Sequence, residues 1–286
     1  MSIHKAKKFY QELTPQQKHF VDTKTINTTL SIKHWIAFLK KASDFDEYVE
    51  TARKTLNLRL TLYIILLIVS IFLYFVFEVY YGLLPPVVIS VLIFHTARTK
   101  SEFVKRDINN YLRLFFMPIL EAIHDKAGEE AKLSASLDFR DPFKAAPPAK
   151  SDYMRAGRKR NVSLYEHKVV IAGVTLADNS YLETALLDEI RTISYTNPRG
   201  KHKSKTKTMH RVFMRLSASK QVYTLNTPSS FPQRVEVSQD DNYHILKLKE
   251  KHKKEAYEIL NPLTFFTSLG VLYTLLNPVV PLTGAA

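Results

Sequence analysis

The chain of 286 residues contains no cysteine, which excludes disulfides, thiolate metal centres and cysteine nucleophiles. Glycine is scarce, at seven residues, and none is arranged as GxGxxG or GxxxxGK, so the backbone cradles of dinucleotide and nucleotide-phosphate sites are missing. No HExxH or GxSxG sequence occurs, and the ten histidines are scattered without metal-ligand spacing. Asp138, Asp141 and His124 have residue types suited to acid-base work, but polar residues beside a linker come together by chance. We expect a protein that is not an enzyme and that uses no metal or cofactor. The first seventeen residues, MSIHKAKKFYQELTPQQ, hold no apolar core and are not expected to form a cleaved secretory signal.

Acidic residues are missing from one long stretch. Between positions 191 and 234 there are ten basic residues and no Asp or Glu, so most of the net charge of +14 is local. Within it Lys201, Lys203, Lys205, Lys207, Arg211 and Arg215 share one parity. The other parity runs through His202, Ser204, Thr206, Thr208 and His210 to Val212, Met214 and Leu216. Successive side chains of an extended chain point to opposite sides. The pattern therefore predicts a strand that begins beyond the sheet edge as a basic loop and turns its final third into a core. The six basic residues are the candidate contact for an acidic surface. Each Lys or Arg near an anionic leaflet contributes on the order of 1 kcal/mol. Nucleic acid would be held through phosphate neutralisation, but the run lacks interleaved aromatics for stacking and arginine for base edges. Anionic lipid headgroups or an acidic protein are the expected partner, ahead of nucleic acid; a solvated loop without a partner is the third reading.

Long apolar runs are present. Between Arg59 and Arg98 the only charged side chain is Glu78, and residues 60–77 (LTLYIILLIVSIFLYFVF) carry none. At helical rise that run covers roughly 27 Å, close to the hydrocarbon thickness, and it is apolar on every face, as a membrane helix must be. Gly82 and the Pro85-Pro86 pair then break the helix before a second apolar arm over 83–97, which is short for a crossing at about 22 Å. Basic residues flank both arms (Lys54 and Arg59; Arg98, Lys100, Lys105 and Arg106), so a hairpin over 59–98 with both soluble parts in the cytoplasm is expected. The alternative is one crossing with 83–97 re-entrant. Tyr80 and Tyr81 fit the far interface, with Glu78 near the same level.

Outside the membrane, Thr14 and Gln17 match a capping box that should start a short helix, and Ser43 with Asp46 forms another. Phe45, Tyr48, Val49, Ala52 and Leu56 repeat at helical spacing before the membrane. Phe103, Ile108, Leu112, Phe115, Ile119 and Ile123 repeat after it. The expected organisation is N-terminal helices over 1–58, a stalk helix over 99–127 packed on the first arm, with homo-oligomerisation through the stalk plausible, and a linker over 128–160 marked by Pro142 and AAPPAK. Beyond it, strands are predicted at 162–166, 168–176, 180–187, 190–196, 210–217 and 221–226, an edge strand at 234–238, and a helix over 241–260 with Ile245, Leu248, His252 and Ala256 on one side. The uncharged end, with only 15 residues between Pro262 and Pro278, interrupted by Thr, Ser and Gly, would be marginal as a third spanning helix and is expected rather to dock on the lipid face or the stalk.

The order SLYEHKVVIAG, YLETALLDEIRTISYT, a variable loop, RVFMRLSASKQVYTL and a closing helix resembles a bacterial pleckstrin-homology-like domain over 162–260. Leu187, Asp188, Glu189 and Ile190 fill the Leu-x-Asp-Ile-like step of that family. The resemblance implies a bent antiparallel sheet capped by a C-terminal helix. It does not bring headgroup-specific recognition, because the family's lysine and Arg-x-Arg pair near the first hairpin are absent and only Lys168 is nearby. The expected fold class is an α+β membrane protein, and the expected function a membrane-anchored adaptor or sensor. A membrane-disrupting effector, triggered through the cytosolic domain, is the rival from another class.

Overall fold

Local signals at the N-terminus act as their chemistry dictates. In the computed structural model, which describes residues 2–77, 84–128, 130–155, 158–197, 199–226 and 234–279, Thr14 and Gln17 close the capping box. The Thr14 amide donates to Gln17 Oε1 (3.1 Å) and the Gln17 amide to Thr14 Oγ1 (3.3 Å). The box opens α2 (Pro15–Thr23), which follows α1 (Ser2–Glu12). After β1 (Thr25–Ser31) the chain enters α3 (Ile32–Phe77) and then α4 (Leu84–Arg106). Two compact units result: Met1–Thr23 with Lys40–Ile108, and Lys24–Leu39 with Asn109–Ala286.

In the first unit Phe45, Val49, Ala52 and Leu56 of α3 are buried, as the helical spacing predicts, while Tyr48 stays exposed. Phe45 packs against Phe9 and Tyr10 of α1. The Arg106 guanidinium sits 4.0 Å over the Tyr10 ring. Ser43 and Asp46 do not start a helix, because α3 runs through them; the buried Asp46 carboxylate instead accepts from the Ile108 amide (2.8 Å) just beyond α4. Among the described residues one helix, Ile32–Val76, is long and apolar enough to cross a membrane, and its apolar window is wholly unburied. The uncharged part of α4, residues 84–97, rises only about 20 Å. The tip of the expected hairpin, with Glu78, Tyr80, Tyr81 and Gly82, lies outside the described residues.

The second unit is built on an eight-stranded antiparallel sheet. Its further elements are a π-helical turn (Leu112–Phe116), α5 (Met117–Ala127), β2 (Lys132–Asp138), α6 (Pro142–Ala145), β3 (Ala149–Arg155), β4 (Arg158–Thr175), β5 (Tyr181–Thr196), β6 (His202–Ser219), β7 (Tyr223–Leu225), β8 (Val235–Gln239), β9 (Tyr243–Lys254), α7 (Pro262–Thr274) and β10 (Leu276–Pro278). The strand order is β1-β2-β4-β5-β6-β9-β8, with β3 paired to the far end of β4 and a separate β7-β10 pair. Leu133, Leu186, Val212, Met214, Leu216, Leu246 and Leu248 turn inward from alternate positions. They are covered by Phe115, Ile119 and Ile123, and by Phe265 of α7. At the start of α3, buried Trp35 donates its indole N–H to the Leu133 carbonyl (2.9 Å).

Several expectations are overturned. Residues 128–160 are not a linker: KLSASLD alternates Leu133, Ala135 and Leu137 into the core as β2, and β3 follows. The N-terminal region holds β1 beside its helices. The four strands predicted within 162–196 are two. A bulge between Lys168 and Val170 carries β4 through the Glu-His pair, and Asp188 is a paired core residue of β5, not a turn residue. The helix predicted over 241–260 is strand β9, because Leu246 and Leu248 recur with period two between lysines. The expected stalk helix breaks at 107–110, and its second half covers the sheet. The apolar end, expected to dock on the lipid face or the stalk, forms α7, which packs on β6, β9 and on α5, the second half of the expected stalk.

Candidate anion-binding face

The basic stripe lies where parity puts it. Even residues of β6 from Thr208 to Ala218 are buried, and odd ones point outward from the core of their unit. Lys203, Lys205 and Lys207 are not in a loop. They pair with Tyr195, Ile193 and Arg191 of β5, which is ladder-paired with β6 as far as Thr196 and His202; beyond that pair the Asn197 side-chain oxygen accepts from the Arg199 and Lys201 amides and Gly200 takes a positive φ of 73°.

Strand β9 adds a second stripe beside the first. Register sets Arg215 opposite Lys247, Phe213 opposite Lys249, Arg211 opposite Lys251 and Met209 opposite Lys253, and all four lysines are exposed. At the distal end Arg160, Arg191, Tyr153 and Tyr195 join the same face through β3, β4 and β5. Arg160 sits 4.7 Å over the Tyr195 ring and Arg191 6.0 Å over that of Tyr153. The lysines thus have aromatic and arginine neighbours that their own segment lacks. The four outward lysines of β9, Lys247, Lys249, Lys251 and Lys253, were legible as alternation in KLKEKHKK; the arginines and tyrosines come from other strands and had no local signal.

Internal acids relieve part of this charge. Glu255 bridges Lys205 (2.6 Å) and Lys207 (3.3 Å), and hydrogen bonds from both lysines hold its carboxyl below the usual range. Arg211 pairs with Glu189, and Arg215 with Glu183 (3.3 Å). Lys201, Lys203, Lys247, Lys251 and Lys253 form no ion pair among the described residues. Like charges directly opposite in a sheet are destabilising, so the Arg211/Lys251 pair works against the fold, whereas the Arg215/Lys247 pair is flanked in register by Glu183 and Glu236. Lysine on an edge strand blocks strand addition. That role does not account for Lys247, which is flanked by β6 and β8.

The inner face carries different chemistry. Register aligns His167, Asp188, His210 and His252 in one row across β4, β5, β6 and β9. His210 Nδ1 lies 2.7 Å from Asp188 Oδ1, and the Tyr111 hydroxyl donates to the same oxygen (3.2 Å); all three residues are fully buried. Burial, then the Asp188 charge, pushes the Tyr111 phenol far above its usual range. Scattered histidines thus become a packed polar row, a link no sequence spacing displays. The trio Asp138, Asp141 and His124 is not assembled. Asp138 holds Arg140 (2.6 Å) and His167 (3.3 Å), Asp141 caps α6, and His124 contacts Asp125. Among the described residues no group of three His, Cys, Asp or Glu is placed to hold a metal ion. Comparison with known protein families, curated proteins and solved structures finds no match.

Proposed function

We propose that the protein is a membrane-anchored, non-enzymatic adaptor or sensor whose basic sheet face binds anionic lipid headgroups. In this reading α3 and α4 form a hairpin that returns the chain to the cytoplasm, and the antiparallel sheet with α7 is pleckstrin-homology-like in outline. The carrying observation is the pair of adjacent basic stripes, with Lys203, Lys205, Lys207, Arg211 and Arg215 along β6 and Lys247, Lys249, Lys251 and Lys253 along β9, which sets Arg211 opposite Lys251. An anionic surface relieves that repulsion, and the apolar helix tethers the face near a bilayer at high effective concentration. Tyr153 and Tyr195 between arginines suit a headgroup layer, where an apolar ring with a polar tip is favoured.

The test uses the full chain in nanodiscs of neutral lipid, immobilised, with vesicles passed over it. Vesicles containing acidic lipid are expected to bind, neutral ones not, and binding should weaken as salt shortens the Debye length below about 8 Å. Changing Lys201, Lys203, Lys205 and Lys207 together to Gln is expected to weaken binding at least tenfold, and adding the same change at Lys247, Lys249, Lys251 and Lys253 should abolish it. Indifference to acidic vesicles, with capture of short oligonucleotides at a steep salt slope, would replace lipid by nucleic acid.

A further inference from the structure

The outer face has an apolar middle that headgroup contact does not use. Ile171, Ala185 and Phe213 stand side by side on β4, β5 and β6, and the same row ends at Lys249 on β9. At neighbouring-strand spacing the apolar part runs about 10 Å. Solvated sheet faces normally carry polar side chains, yet Ile171 is 45% exposed here. Gly173 lies two residues along from Ile171, and the Tyr181 hydroxyl occupies the space above it: a Cβ on Gly173 would meet that oxygen at 2.4 Å. Tyr181 so walls a groove of about 580 Å³ whose opposite end is formed by Arg215, Lys247 and Lys249. The volume is that of a small-ligand site.

We infer that this groove seats a single acidic amphiphile, with its hydrocarbon chain along Ile171, Ala185 and Phe213 and its anionic head on Arg215 and Lys247. The inference rests on the lipid reading above and deepens it. Charge complementarity fixes the orientation of the occupant. Lys247 forms no ion pair among the described residues, because Glu236, opposite it on β8, is taken by Lys249 (3.1 Å); that pair and Arg215–Glu183 (3.3 Å) are exposed and exchange readily for a ligand anion. An uncharged chain would leave the cationic end unanswered. A headgroup without a chain would leave Ile171 and Phe213 in water.

The experiment is photo-crosslinking of the full chain in neutral nanodiscs doped with an alkyl phosphate that carries a diazirine on its chain, followed by peptide mapping. The expected result is label on β4, β5 and β6 around Ile171, Ala185 and Phe213, besides label on α3. Ala185→Trp, which fills the groove without touching a charge, should cut the sheet label at least tenfold and leave the α3 label and acidic-vesicle binding unchanged. Arg215→Gln with Lys247→Gln should cut it about tenfold, and an uncharged diazirine alcohol should label α3 alone. Label confined to α3 with the phosphate, equal sheet label from the alcohol, or indifference to Ala185→Trp would each overturn the inference. If sheet label is missing while acidic vesicles still bind, the groove assignment fails alone. If both are missing, the lipid reading fails with it.

Discussion

Changing Lys251 to Glu should stabilise the fold while weakening the proposed binding face. Lys251 faces Arg211 directly across the β6-β9 pair; Lys247, which faces Arg215, is not chosen because it also has Glu236 opposite it on β8. Cross-strand charge pairs contribute roughly 0.2–1 kcal/mol, with like charges unfavourable by a similar amount. Reversing one partner therefore converts a repulsion into an attraction. Arg211 already has Glu189, and the site is solvent-screened, so the lower end of the range applies. The swap gives about 0.5 kcal/mol, or roughly 1–2 °C in the thermal midpoint of a unit this size. The same swap changes the face by two units of charge, worth up to about 2 kcal/mol against an anionic leaflet, or roughly thirtyfold in affinity. Thermal scans by circular dichroism and vesicle binding, both on the full chain, read the two effects. The stability gain should shrink in high salt. A variant that melts lower than the parent, or that binds acidic vesicles undiminished, would refute the reasoning.

Three further outcomes are expected. His210→Leu leaves the buried Asp188 carboxylate with only the Tyr111 hydroxyl and should cost about 3–5 kcal/mol. Asp188→Leu leaves Tyr111 and His210, already 3.1 Å apart, to pair with each other and should cost less; the double variant should melt within a few degrees of the parent, and additive losses in thermal scans would contradict the pairing. Burial alone would raise the Asp138 carboxyl, but hydrogen bonds from His167 and Arg140 outweigh it and hold the group well below the usual carboxylate range. A depressed folded-state value means that its contribution is fully present above the unfolded value near 3.9 and is lost as pH falls through the folded one. Asp138→Asn should therefore cost about 1–2 kcal/mol at neutral pH, with the two melting curves converging only in acid below about pH 4. For topology, the cysteine-free chain takes Lys41→Cys and Lys203→Cys as single reporters. Both should be shielded from an impermeant thiol reagent in intact cells and label after lysis, whereas labelling of one alone in intact cells would exclude the hairpin.

Features that depend only on near neighbours along the chain were legible without the fold. The capping box at Thr14 and Gln17, the buried spacing of Phe45, Val49, Ala52 and Leu56, and the inward parity of Val212, Met214 and Leu216 all follow from the repeat of a single element. The apolar run that makes α3 long and apolar enough to cross a membrane was legible in the same way. Where two periods competed, local reading failed. Ile245, Leu248 and His252 suggested a helix, but β6 offered a hydrogen-bonding partner along its whole length, and pairing selected the period-two alternative carried by Leu246 and Leu248. Asp188 read as a turn residue because its buried partners, Tyr111 and His210, are 77 and 22 positions away. The lysines of β6 were visible as a stripe. That they share a face with those of β9, with Arg160 and Arg191, and with an apolar groove beneath Tyr181 is decided by strand register, which only long-range pairing fixes.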